Sequence, residues 1–188
     1  MSLAKTKVAN QPFGPFPVVL VGADVAGRPN FATVGAWGVV SLEPVLQVSL
    51  RQTHHTAAGV RENGFFSVNL PSTGLVTRTD YCGTVSGSRV DKSSVFTTFY
   101  DAAGRAPMIR ECPMNVLCRV VRTIPVYDFE MFLGEIVGTW VDDRCLKDGR
   151  PDVVALDPMV LFWPEYRSLG RAAGTVFREG EGYAPIPG

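Results

Sequence analysis

Histidine is nearly missing from this chain: there are two in 188 residues, and they are neighbours, His54 and His55. That scarcity removes most imidazole-based acid–base chemistry and leaves no H-E-x-x-H pair to hold zinc. No G-x-S-x-G elbow presents a nucleophilic serine, and no G-x-G-x-x-G follows a strand to seat a pyrophosphate. The segment GSRVDKS ends in Lys-Ser as a P-loop does, but Asp91 stands where that loop needs glycine. The four cysteines, Cys82, Cys112, Cys118 and Cys145, show neither C-x-x-C spacing nor histidines at zinc-site distances. They read as reduced, buried thiols, Cys82 included, since nothing in its sequence surroundings lowers a thiol pKa. The adjacent Asp142 and Asp143 read as a solvated turn rather than a dyad. Neither sign of charge dominates, with 18 basic against 18 acidic residues, which argues against nucleic-acid and membrane-surface partners. Near the start, the strongest apolar run, Phe16 to Ala23, is far too short to span a bilayer, and no charged n-region precedes it. A cytoplasmic location is the expectation, and no catalytic side chain or metal ligand is assigned.

Short runs rich in Val, Phe and Thr, broken by Gly and Pro, dominate what remains. FPVVLVGADV (16–25), FATVGAWGV (31–39), VLQVSL (45–50), FFSVNL (65–70), NVLCRVVRTIPVYDF (115–129) and EMFLGEIVGTWV (130–141) read as strands, with MVLFWPEY (159–166) completing the set. This spacing predicts a mainly β protein, a barrel or sandwich with a few short helices. One helix is expected over Thr56–Asn63, capped by Thr53 or Thr56 and stopped by Gly64 at C′. Another is expected over Thr73–Gly83, behind Ser72. The chain has the length of one domain, residues 1–188, with a core from about 12 to 174 and a Gly- and Pro-containing C-terminal arm, 175–188.

Three stretches carry the candidate chemistry. In NFATVGAWGVVS, Gly35, Ala36 and Gly38 leave little bulk between the backbone and a flat ligand, and Trp37 offers an aromatic contact. The same pattern also suits a core strand packed beneath a helix. RQTHHTAAGV sets Arg51, His54 and Thr56 at the start of the first helix, where free N–H groups and the helix dipole favour an anion. Each has a plain structural alternative: a strand-end ion pair, a surface histidine and an N-cap. VSGSRVDKSS offers hydrogen bonds from Ser86, Gly87 and Ser88 and a cation at Lys92, or it is a solvated loop.

Taken in order, N-F-A-T-V-G-A-W, S-L-E-P, R-x-x-H-x-T, F-x-V-N-L-P, D-Y-C-G-x-x-S-G-x-x-x-D-K, F-L-G-E-I-V and Y-x-x-L-G resemble the flavin reductase-like family, nearest its flavoredoxin branch. The resemblance runs from about Phe16 to Gly174. It implies a split, Greek-key-like β-barrel with FMN held non-covalently at the interface of a homodimer. It further implies that Asn30, Thr33, Ala36 and Trp37 line the ring and ribityl portion, with Arg51, His54 and Thr56 around the phosphate. Asn69 is implied at a strand end near the flavin, Ser86 and Gly87 in the loop beside it, and Lys92 at the cofactor or the mouth of the site, within one chain or across the dimer. Many reductases of this superfamily carry a histidine a few residues before G-E, where this chain has Phe129, a departure that weakens direct oxidation of NAD(P)H. The implied activity is that of an FMN-dependent oxidoreductase, fed by NAD(P)H or by a small-molecule or protein redox partner. The competing readings are a relative of the pyridoxamine-phosphate oxidases and a barrel that binds flavin without turnover.

Overall fold

The computed structural model describes residues 4–181. Strands β1 (Phe16–Pro17), β2 (Val19–Val25), β3 (Arg28–Val34), β4 (Trp37–Ser41) and β5 (Val45–Arg51) come first, then α1 (His55–Asn63) and β6 (Phe65–Leu70). A 3-10 turn, Thr73–Leu75, leads into α2 (Val76–Thr84), and the short pair β7 (Thr98–Phe99) and β8 (Met108–Ile109) follows. The long hairpin β9 (Met114–Val126) and β10 (Phe129–Val141) precedes the short pair β11 (Leu146–Lys147) and β12 (Arg150–Pro151). Last come α3 (Val153–Leu156) and the hairpin β13 (Met159–Phe162) and β14 (Glu165–Ser168). Of the expected C-terminal arm, residues 175–181 form exposed turns and 182–188 lie outside the described residues.

Seven strands form one antiparallel sheet in the order β3-β2-β6-β9-β10-β5-β4. The two outer strands, β3 and β4, are consecutive in the chain and joined only by Gly35 and Ala36. So short a link brings the two edges together, and the sheet must curl into a barrel. The carbonyl of Ala36 accepts from the amide of Ser49 on β5 at 2.9 Å, extending the β4–β5 ladder into the link. The architecture is the expected one: mainly β, a split barrel with a few short helices.

Alternation places the core inside this curl. On β5, Leu46, Val48 and Leu50 are buried while the residues between them are partly open. Val19, Val21 and Ala23 of β2 join the same cluster with Phe66 and Phe132, and Ala57 and Val60 of α1 close it from one end. Residues of the opposite face, Leu20 and Phe31, pack with Leu75 and Cys82, so β2 and β3 are covered on both sides. That double cover explains the near-continuous apolar run at the start of the chain. The run is nonetheless two strands: β1 pairs with β13, whereas β2 pairs with β3 and β6.

Helix α1 starts one residue earlier than expected. His54 is the N-cap, no side chain caps it, and Thr56 lies inside the first turn, which corrects the assignment of Thr53 or Thr56 as cap. Gly64 ends the helix as expected, at φ 68°, a left-handed conformation that costs glycine nothing. The second expected helix begins as the 3-10 turn and becomes α-helical only at Val76. Gly59 decides how closely α1 approaches the barrel, because a Cβ at that position would run into the Asp24 carbonyl oxygen on β2. We expect Gly59→Ala to push the helix outward and destabilise the fold by about 1–3 kcal/mol, read as a lower urea midpoint.

Candidate functional site

The close seating of α1 sets its first turn against β3, and a cleft of about 170 Å³ opens between them. Its walls are β3 (Asn30, Ala32, Thr33), the start of α1 (His54, His55, Thr56), the end of α2 (Cys82, Gly83, Thr84) and the loop carrying Ser86, Gly87, Arg89 and Lys92. The structure therefore brings Asn30, Thr33, His54, Thr56, Ser86, Gly87 and Lys92 to one place, although they are spread over more than sixty residues of sequence.

Each wall is held by a specific bond. Asn30 Nδ2 donates to Thr56 Oγ1 at 2.6 Å, joining β3 to α1 in the interior. Thr33 Oγ1 donates to the Thr79 carbonyl, and a Cβ on Gly83 would sit 3.2 Å from the Thr33 Cβ, so the last turn of α2 rests on β3. Gly87 lies so close to Asn30 that a Cβ would run into its Oδ1 and come within 2.9 Å of His55 Cδ2. Lys92 is buried, and its Nζ donates to the carbonyls of Phe31 at 3.0 Å and Cys82 at 2.8 Å. One ammonium thus fastens the loop to both β3 and α2.

The electrostatics favour an anion. No acidic residue lines the cleft, whereas Arg89 and Lys92 do. The uncapped first turn of α1 adds free N–H groups and the positive end of its dipole. Burial holds the Lys92 ammonium below the usual lysine range. His54 is held below its ordinary 6.5, first by burial and then by the charges of Arg51 and Lys92. Its Nδ1 is buried without a hydrogen-bond partner. Burial pushes the Cys82 thiol up to about 11, with Lys92 pulling the other way, so the thiol stays protonated and unreactive at neutral pH.

Four sequence candidates lie outside the cleft. Asn69 is fully buried and its amide is spent on the core. Its Nδ2 donates to the Leu20 carbonyl and Ser67 Oγ, and its Oδ1 accepts from the Ile109 amide and Asn115 Nδ2. The assignment to the flavin site is corrected: Asn69 is a structural bridge between the sheet and β8. Arg51, at the exposed end of β5, pairs with Asp128 and covers the Phe129 ring at 4.9 Å. Trp37 is half-buried against the core on β4 with its Nε1 donating to the Pro17 carbonyl at 2.9 Å, and Ala36 is exposed on the surface that β3 leads to. Lys92, expected to reach toward the cofactor or across a dimer, is turned inward onto its own chain's carbonyls. Arg89, His55 and the Cys82–Thr84 turn escaped the sequence reading. Arg89 was legible as the second cation of the same loop, whereas the α2 turn reaches the cleft only through tertiary packing.

A sheet curled around one core, with a helix N-terminus and a glycine-containing loop forming a cleft that favours an anion at its side, defines a small split-barrel protein. The chain belongs to the flavin reductase like domain family, which it matches over residues 14–170. It is similar to the flavoredoxin of Methanosarcina acetivorans, with 41% identity, a TM-score of 0.91 and 95% of this chain and 98% of that one covered. It is also similar to the flavoredoxin of Desulfovibrio vulgaris, with 31% identity, a TM-score of 0.83 and 96% and 98% covered. An uncharacterised protein of Archaeoglobus fulgidus is 31% identical over 129 residues, 67% of this chain and 72% of its own. The family is one of flavin-related oxidoreductases, and this member stands close to the flavoredoxins. Among the described residues, no group of side chains is arranged to hold a metal, and no helix is long and apolar enough to cross a membrane.

Two expectations follow from this geometry. Because the folded state holds the His54 pKa below 6.5, the unfolded chain binds its proton first, and stability falls as pH drops below that value. In urea melts between pH 7.5 and 5.5, His54→Gln should flatten this loss. Asn69→Ala should cost roughly 1–3 kcal/mol by stranding its buried partners, while leaving the flavin affinity of the folded fraction unchanged.

Proposed function

We propose that this chain binds FMN non-covalently, with the terminal phosphate in the cleft, and works as a flavoredoxin-like electron carrier. The observation that carries the reading is the cleft itself: an uncapped helix start, two cations, a buried unpartnered His54 Nδ1 and no carboxylate. A phosphate monoester is the anion that such a donor set suits. FMN-binding and flavoredoxin relatives of the same fold support the choice of ligand.

When bound, FMN supplies the one- and two-electron redox chemistry that none of the cleft side chains offers. The chain's own residues bind, orient and shield. The amides at the start of α1 and the Thr56 hydroxyl would hold the phosphate, Arg89 and Lys92 would balance its charge, and Gly87 and Lys92 would keep the loop in place beside it. At about 170 Å³ the cleft is smaller than the roughly 300–1,000 Å³ of a complete ligand site, so it takes the phosphate end and leaves the ring on the surface. Ring and ribityl would then run along β3 past Thr33 toward Gly35 and Ala36, whose small side chains let a flat group approach the backbone.

A second copy of the chain would complete the site. Val39, Val40 and Leu42 on and just beyond the edge strand β4 are exposed to an extent that a lone protein seldom tolerates together. A homodimer through this face would cover the ring and exclude water from it.

Donor choice follows from the hairpin. Phe129 occupies its inner end, and Arg51, stacked on the ring and paired with Asp128, fills the space beside it. Neither residue offers an imidazole to meet a nicotinamide, which favours a redox partner as the electron source. The purified protein should be yellow, or become so with FMN, and an apoprotein that takes up none overturns the proposal. Under anaerobic conditions NADH and NADPH should bleach it only slowly while chemical reductants bleach it at once. Rapid bleaching by either nicotinamide would make it a reductase instead.

A further inference from the structure

We infer that Asn30 is a positioning residue for the phosphate and not a contact of the flavin ring, acting through the Thr56 hydroxyl. The inference rests on the phosphate reading of the cleft and says how that site selects its ligand. Asn30 is 4% exposed, and its amide is held to α1. Nδ2 donates to Thr56 Oγ1 at 2.6 Å, and the Oδ1 end lies against the backbone of Gly87.

The direction of that bond matters. A threonine hydroxyl has one hydrogen to give and lone pairs to receive. With the Asn30 amide filling the receiving side, the Thr56 hydrogen is free to be given away. Thr56 is 1% exposed at the second position of α1, beside the free amides of the first turn, and it lines the cleft. Asn30 therefore makes Thr56 a donor, and a wall made of donors accepts a fully ionised oxyanion and rejects a hydroxyl that must itself donate. The same amide supports Gly87, which positions the loop that closes over the anion. One side chain sets both the polarity and the shape of the phosphate wall, and the ligand class it selects is a terminal phosphate monoester in preference to the free alcohol.

The test is a double-mutant cycle read as the ratio of FMN to riboflavin affinity, which isolates the phosphate from the ring. Fluorescence titration of apoprotein should show a clear preference for FMN in the unaltered chain. Thr56→Val and Asn30→Ala should each lower that preference about tenfold, and the pair together no more than Thr56→Val alone. Thr56→Ser should retain it. Asn30→Asp, which keeps the shape but replaces the donor with an acceptor that captures the Thr56 hydrogen, should lower it at least as far as Asn30→Ala. It also provides a folded variant should Asn30→Ala fail to fold. Multiplying effects in the double variant, or an Asn30→Asp protein with undiminished FMN preference, would overturn the positioning role while leaving the phosphate site standing. An unaltered chain that binds FMN and riboflavin equally would overturn both.

Discussion

The contact between Gly59 and the Asp24 carbonyl on β2 governs the geometry of the whole site. With no side chain between them, α1 lies against the sheet at backbone distance, and Ala57 and Val60 enter the barrel core. The consequence appears one turn earlier. Thr56 comes within hydrogen-bond reach of Asn30 on β3, and the open first turn of the helix faces the cleft rather than solvent. A helix displaced by one methyl group would loosen that bond and widen the cleft. Packing inside the barrel and polarity at its side are thus two ends of one rigid element, and the close-packed interior transmits the position of one to the other.

The second constraint is the buried ammonium of Lys92. Its partners are two carbonyls and no carboxylate, so the charge is solvated by dipoles but not neutralised. Alone, this arrangement is costly, as the depression of its pKa by burial records. Set beside Arg89, the helix dipole and a His54 whose pKa is held down first by burial and then by Arg51 and Lys92, it makes the cleft a region of unmet positive potential. A dianionic group entering it would relieve all of these terms together. Binding and folding then become linked, since a ligand that binds only the folded chain stabilises it in proportion to its occupancy.

Local signals in the sequence were read well and long-range ones poorly. Gly64 was recognisable as a helix stop because the left-handed conformation is a property of glycine itself. The strands around Val48 and Val68 announced themselves through alternation and turn residues. The cap of α1 was misplaced because Thr56, a good capping residue locally, is claimed by Asn30 from 26 positions away. Asn69 shows the limit of a motif: F-x-V-N-L-P marks the strand correctly, but only the register of β6 with β2 and β9 reveals that its amide serves Leu20, Ile109 and Asn115. The C-terminal turn of α2 could not be assigned to the site at all, since it arrives there by resting on Thr33.

Trp37 shows how the parts of the candidate site divide. It lies neither in the barrel interior nor in the phosphate cleft. Its indole seals β4 against the backbone of Pro17 and one face packs on the core, while its neighbours Ala36 and Val39 are open. A single chain therefore presents a preorganised cleft that favours an anion, and beside it an edge strand with exposed apolar residues. The two halves answer to different physics. Phosphate recognition needs donors fixed to within tenths of an ångström, which the rigid β3–α1 junction provides. A flat ring needs coverage more than direction, and the exposed valines and leucine around β4 are suited to supply it once another surface is laid over them. On the proposed reading, the anion site is complete within one folded chain, while cover for the ring would come from assembly.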